Sequence, residues 1–203
     1  MALTERERQT MVLYDQKGLE WLNYSGGKNR PSFWKAEMKL FEWSLPKNSK
    51  VLEIGCGPAT DGKYLGEVGI SCISVDFSKT MLGIAKEIDK KSKLAQMDNY
   101  NLGFSENSFD GFWASATLLH MENASSALSE LTRVTKNNGV GFISIKEGDG
   151  EGTDPKTGFY FKYYKHEEFS KILHDQNFKI LRATKRKGTP AHDYLTYLVR
   201  VNK

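Results

Sequence analysis

The sequence predicts an α/β protein built on a mostly parallel seven-stranded sheet with an antiparallel C-terminal edge hairpin. Three observations carry this expectation. From Lys50 onward, short apolar strand-like runs alternate with helix-like segments, the pattern of a parallel sheet covered by helices on both faces. The first run, Val51-Leu52-Glu53-Ile54, ends in the turn Gly55-Cys56-Gly57 and passes straight into a helix. The last two runs, residues 178–183 and 194–201, are joined by a short link that holds Gly188 and Pro190 and has no helical pattern. Such a link favours an antiparallel pair.

The elements follow in order. The first fifty residues read as two helices separated by a loop at residues 23–30, with Pro31 suited to the first turn of the second helix. Trp34, Met38 and Phe41 follow it at helical spacing, and Trp21, Trp34 and Trp43 are expected in the core. After the strand at 51–54, residues 61–68 form a short helix closed by Gly69, which fits the left-handed position past a helix end. Residues 71–75 are the second strand, which Asp76 ends. Ser78 then caps a helix whose Met81, Leu82, Ala85 and Ile88 share one face. Strands at 94–97 and 109–114 come next. Ala124, Ala127, Leu128, Leu131 and Val134 mark a further helix, and the Asn137-Asn138-Gly139 turn leads into a strand at 140–145. A last helix containing Phe169, Ile172 and Leu173 stops near Asn177, and its start near Lys165 lacks a Ser or Thr cap.

Length and composition narrow the function. A chain of 203 residues is enough for one full core, and the expectation is a single domain. Residues 1–48 would form an N-terminal helical lid and residues 49–203 the core. With 29 Lys and Arg against 25 Asp and Glu, the net charge of +4 is mild. The short run Lys185-Arg186-Lys187 reads as a solvated turn between two strands, so a nucleic-acid partner is not expected. Cys56 and Cys72 have no metal-ligand spacing, and a cytoplasmic setting without a structural disulfide fits them. The charged N-terminus lacks the apolar stretch of a signal peptide, and no run approaches the ~20 apolar residues that span a bilayer. No membrane partner and no metal site are expected, and oligomeric state is left open.

Two acids stand out. Glu53 is charged inside a strand that is otherwise apolar, and a buried carboxylate needs a partner. Asp76 follows Gly57 at the end of the next strand, where a ribose-binding acid belongs in an open α/β sheet. A Gly-rich turn at the same end lets the backbone approach a ligand closely.

These residues resemble a known family. Residues 51–59 (VLEIGCGPA) and 74–82 (SVDFSKTML) look like the first two motifs of the class I S-adenosylmethionine-dependent methyltransferases. Residues 96–121 resemble the third and fourth motifs, and residues 159–180 are similar to a late segment of small members. The resemblance implies a Rossmann-like three-layer sandwich that binds S-adenosyl-L-methionine and releases S-adenosyl-L-homocysteine. It implies that Glu53 helps hold the methionine amino group and that Gly55, Cys56 and Gly57 pass under the cofactor. Asp76 would accept both ribose hydroxyls and Phe77 would lie against the adenine. Asp98, with the Met97 backbone, would take the adenine amine, and the Ala114 carbonyl would meet the methionyl end. Tyr14 resembles the N-terminal aromatic that closes over the cofactor. Ala59 replaces the third glycine of the turn, where a β-carbon restricts φ.

The resemblance does not select an acceptor. No Asn-Pro-Pro-Tyr or Asp-Pro-Pro-Tyr follows the fourth strand and no Pro-Cys is present, which disfavours adenine-N6, glutamine and cytosine-C5 chemistry. The expected acceptor is a small molecule methylated on O, N, S or activated carbon by in-line transfer. The alternatives are an RNA or protein methyltransferase, a non-catalytic S-adenosylmethionine-binding regulator, or a nicotinamide-dependent oxidoreductase. His120, just past the fourth strand, reads equally as a general base or as a packed ring. The acidic loop at residues 146–152 and the aromatics that follow read as an acceptor lid bearing Lys146, Glu147, Tyr160 and Tyr163, or as a plain connection.

Overall fold

In the computed structural model, residues 3–22, 33–189 and 192–203 are described. The loop expected at 23–30 and Pro31 lie outside them. Helices α1 (Glu5–Trp21) and α2 (Phe33–Trp43) come first. Then β1 (Lys50–Ile54), α3 (Thr60–Glu67), β2 (Ser71–Asp76), α4 (Lys79–Ile88), β3 (Lys93–Gln96) and β4 (Phe109–Ser115) alternate. A 3₁₀ turn (Leu118–His120) precedes α5 (Ala124–Val134) and β5 (Thr135–Lys146). The chain continues through β6 (Glu151–Thr153), β7 (Tyr160–Lys162), α6 (His166–Asp175), β8 (Phe178–Thr189) and β9 (His192–Val201).

Seven strands form one sheet in the order β3-β2-β1-β4-β5-β9-β8. The first five are mutually parallel, while β9 runs antiparallel to both β5 and β8. This is the Rossmann-like sheet with an antiparallel edge hairpin that the sequence predicts. The order of connection reverses between β1 and β4, so the carboxyl ends of those strands flank a crevice.

Alternation along each strand sends side chains to two cores. Leu52, Ile54, Phe112, Ile143 and Ile145 face α5 and α6 side residues such as Leu128, Leu131 and Phe169. Val51, Trp113 and Phe142 face Trp34, Met38 and Phe41 of α2. There the Trp113 and Phe142 rings stack with centroids 3.9 Å apart. The expected punctuation is present: Ser78 Oγ accepts from the Met81 N–H, Gly69 and Asn177 have φ of 86° and 63°, and Lys165 makes no side-chain cap bond.

Four details differ from the sequence reading. Trp43 is 74 % exposed, because α2 turns that position away from the sheet, whereas Trp34 is buried; the Trp21 side chain lies outside the described residues. The edge hairpin is longer than expected. Lys185, Arg186 and Lys187 belong to β8 and pair with Leu195, Tyr194 and Asp193, so they are not a turn. Arg186 reaches the buried Glu37 of α2, with Nε 2.8 Å and Nη2 2.6 Å from its carboxylate. Finally, the loop after β5 carries a small antiparallel pair, β6 and β7, whose three-residue strands are too short to leave a period in the sequence. The Asn138 turn is present at φ 64°, but as an irregularity within β5.

Candidate active site

The carboxyl ends of β1, β2, β4 and β5 open into one cavity of about 790 Å³, roofed by α1. That size lies within the ~300–1,000 Å³ of small-molecule sites.

On the β1–β2 side, Glu53 is 2 % exposed yet reaches the cavity wall. Its Oε2 accepts from the Ser74 hydroxyl at 2.5 Å and from the Gly62 N–H at 3.1 Å, which fixes the carboxylate at the strand end. A β-carbon on Gly62 would come within 2.5 Å of that same oxygen. Gly55 and Gly57 have φ of 55° and 51°, and a β-carbon at Gly55 would overlap the Thr117 side chain. The turn therefore leaves backbone, not side chain, facing the cavity. Ala59 adopts φ 50° as well, so it takes the left-handed conformation that a glycine would take. Its methyl is buried with Cys56 and Ala85, and Ala59 is not part of the cavity lining.

Asp76 lines the cavity beside this turn. It accepts from the Gly57 N–H at 2.7 Å and the Ser78 N–H at 2.8 Å. Burial pushes its carboxyl above the usual range, and those amides oppose the shift. Phe77 and Asp98 also line the wall. One Asp98 oxygen caps the turn that follows, accepting from the Tyr100 N–H at 2.8 Å. Met97 and Ala114 are set back: Met97 packs against the core, Ala114 is fully buried, and Ser115 and Ala116 form the wall at the end of β4. Ala116 holds φ 53° and its N–H donates to the Ser144 hydroxyl at 2.9 Å.

His120 sits in the middle. Its Nδ1 is 2.8 Å from the Tyr160 carbonyl and its Nε2 is 2.9 Å from the Tyr14 hydroxyl. A carbonyl can only accept, so Nδ1 carries the proton, and Nε2 accepts from Tyr14. Burial pulls the imidazole pKa down to about 4, so the ring is neutral at pH 7. Tyr14 stacks on Phe159 with centroids 4.5 Å apart, and burial pushes its hydroxyl pKa up.

On the far side Lys146, Phe159, Phe161 and Tyr194 form the wall. Tyr160 and Glu147 face elsewhere: Tyr160 is buried below the wall, and Glu147 pairs with Lys185. Tyr163 flanks Phe161 and His192 outside the lining. Phe159 and Phe161, adjacent to the expected lid residues, supply the aromatic surface instead.

The roof is pinned by residues the sequence reading passed over. Glu7 accepts from the Tyr100 hydroxyl and from the Glu122 N–H at 2.8 Å. Asp15 accepts from the Ser78 hydroxyl at 2.5 Å, and Thr10 accepts from the Tyr160 N–H at 3.0 Å. The Thr4-x-x-Glu7 capping box was the available signal for the start of this helix.

Comparison with known proteins places the chain in a family. A family model described as a methyltransferase domain matches residues 52–143. An uncharacterized protein of Methanocaldococcus jannaschii is 30 % identical over 74 % of this chain and 74 % of its own length. The chain belongs to the class I S-adenosylmethionine-dependent methyltransferase superfamily. A relative within that superfamily, the malonyl-[acyl-carrier protein] O-methyltransferase of Buchnera aphidicola, is 34 % identical over 50 % of this chain and 41 % of its own. The chain thus spans less than half the length of that curated methyltransferase. Among solved structures, the Burkholderia thailandensis 1,6-didemethyltoxoflavin-N1-methyltransferase, bound to its substrate and S-adenosylhomocysteine, has the same fold. It is 17 % identical, covers 100 % of this chain and 93 % of its own, and has a TM-score of 0.73. Among the described residues of this methyltransferase-family chain, no group of three or more His, Cys, Asp or Glu is placed to hold a metal ion. No described helix is long and apolar enough to cross a membrane.

Proposed function

We propose that this chain transfers the methyl group of S-adenosylmethionine to a small organic acceptor. The observation that carries the reading is the convergence of Glu53, the Gly55-Cys56-Gly57 backbone and Asp76 on one cavity. The fit is chemical. A fixed carboxylate at the end of β1 suits an ammonium group, and an acid at the end of β2 suits a ribose diol. Bound there, S-adenosylmethionine supplies a methyl group already activated by its sulfonium.

The protein's part is then to align and to exclude water. Glu53 would hold the methionyl amine, and Asp76 would exchange its bond to Gly57 for the ribose hydroxyls. Phe77, Asp98 and the backbone near Met97 would receive the adenine. Residues 1–48 would act as a lid on the core at 49–203, with Tyr14 the residue that closes it. A small-molecule acceptor fits a cavity of this volume, and the names of two similar proteins, a malonyl-[acyl-carrier protein] O-methyltransferase and a didemethyltoxoflavin N1-methyltransferase, support a small organic methyl-accepting group. His120 cannot serve as a base while Nε2 is occupied by Tyr14, so that role requires the lid to open or Tyr14 to relay the proton. The free thiols of Cys56 and Cys72 fit a reducing cytoplasm.

Calorimetry and thermal shift with S-adenosylmethionine, S-adenosylhomocysteine and NAD test the reading. Binding of both adenosyl compounds is expected. Stabilisation by NAD alone would sink it.

A further inference from the structure

The charges around the cavity are sorted by position. Glu53, Asp76 and Asp98 stand at or just past the ends of β1, β2 and β3 and Asp61 in the first turn of α3, while Lys146 and Lys156 stand at the end of β5 and in the β6–β7 loop. On the roof, Glu7 is committed to Tyr100 and Glu122, and Glu20 is exposed. The neutral His120 lies between the two halves.

Lys17 of the roof also lines the cavity, with its Nζ 3.5 Å from the Thr157 carbonyl, and Lys146 is the cation set against the aromatic wall. Its Nζ lies 3.4 Å from the centroid of the Phe161 ring, and the side chain is half-buried. The nearby carboxylates are spoken for. Glu147 pairs with Lys185, and Asp154 Oδ1 accepts from the Lys156 and Thr157 amides and the Thr157 hydroxyl at 2.8–3.0 Å. Among the described residues no carboxylate lies within ion-pair distance of Lys146. A half-buried ammonium against a ring face, with the Asp154 charge acting on it only from beyond ion-pair distance, is under-compensated, because neither contact returns what a desolvated ion loses. Burial accordingly pulls its pKa down to about 8, which still leaves it mostly charged at pH 7.

We propose that Lys146 anchors an anionic group of the methyl acceptor, so that the enzyme acts on small organic acids with a flat apolar body. Phe159, Phe161, Trp34 and Tyr194 supply the apolar surface for that body beside the cation. A cavity that is acidic at the cofactor end and basic at the acceptor end also favours one orientation of the pair. The inference rests on the methyltransferase reading above and deepens it.

The test uses the full chain saturated with S-adenosylhomocysteine and two probes of one shape, 1-naphthoate and 1-naphthamide. Calorimetry is expected to give the acid at least a tenfold advantage over the amide. Lys146→Met should erase the advantage, and Lys146→Arg should restore part of it, with S-adenosylhomocysteine affinity reporting that both variants fold. Equal binding of acid and amide, binding of neither, or a preference that survives in Lys146→Met overturns the role of Lys146 alone. Failure of the wild type to bind S-adenosylhomocysteine would instead overturn the methyltransferase reading beneath it.

Discussion

The Tyr14 hydroxyl donates to Nε2 of His120 at 2.9 Å, tying the roof helix to the turn beyond the central strand. In that direction the bond needs a neutral His120, since a protonated Nε2 has no lone pair to offer and could only donate to the hydroxyl oxygen. The ring's pKa is about 4 in the folded chain against an ordinary 6.5. Above pH 6.5 both folded and unfolded chains carry it neutral and nothing is lost. As the pH falls from 6.5 toward 4, the unfolded chain takes up a proton that the folded chain refuses, so stability falls. The whole swing is at most about 3 kcal/mol, and smaller because the ring is partly open to the cavity. Urea unfolding of wild type and His120→Gln between pH 4.5 and 7.5 should show a shallower decline in the variant. Equal slopes would assign the loss to other groups, such as the carboxyls of Asp110 and Glu130, which their partners hold below the ordinary range.

Asp76 already accepts two backbone amides, so its carboxylate is aimed before any ligand arrives. Asp76→Ala is expected to weaken S-adenosylhomocysteine binding by about 1.5–3 kcal/mol, the range for hydrogen bonds to a charged group. Calorimetry reads this directly, and unchanged affinity would remove Asp76 from the ribose site. Asp76→Asn should lose less, because it keeps one acceptor oxygen in place.

Glu37 holds α2 against the edge hairpin. Its carboxylate is 3 % exposed and meets Arg186, Arg182 and the Thr196 hydroxyl. Removing one partner of a buried pair costs ~3–5 kcal/mol when the other charge is trapped. Here both arginines can turn toward water, so Glu37→Leu should cost about 1–3 kcal/mol. Arg182→Ala, at the exposed end, should cost under about 1 kcal/mol. Urea denaturation of the two variants would show the order reversed if Glu37 were merely a surface acid.

The parts of this architecture that repeat were legible in sequence. Alternating apolar runs and caps such as Ser78, Gly69 and Asn177 gave the sheet, and Glu53 and Asp76 marked its ligand end because acids at strand ends are conspicuous among apolar neighbours. What escaped depends on contacts far apart in the chain. Lys185, Arg186 and Lys187 look like a solvated turn until β9 pairs with them and Glu37 arrives from α2. Glu7, Thr10 and Asp15 look like ordinary helix surface until α1 is laid across the cavity. The direction of a wall residue is equally hidden: the reading chose Tyr160 and Tyr163, but the strand pleat of β7 turns Phe161 inward and Tyr160 to the core.

The glycine turn gives a sharper test, because two of its residues share a conformation and differ in space. Gly55 and Ala59 have φ of 55° and 50°. A methyl at Gly55 would collide with Thr117, whose hydroxyl is committed to the Ile54 carbonyl at 3.0 Å and cannot swing freely. Gly55→Ala therefore adds left-handed strain of about 1–2 kcal/mol to a steric overlap, and a large loss of stability together with weakened cofactor binding is expected. Ala59 already bears its methyl in a pocket made by Cys56 and Ala85. Ala59→Gly relieves about 1–2 kcal/mol of strain but gives up about 0.8 kcal/mol of methyl burial and about 0.4–1 kcal/mol of unfolded-state entropy. These nearly cancel, so the variant should stay within about 1 kcal/mol of wild type and keep its affinity for S-adenosylhomocysteine. A marked loss of cofactor affinity in Ala59→Gly, measured by calorimetry on a protein of unchanged stability, would mean that the Ala59 methyl shapes the cavity after all.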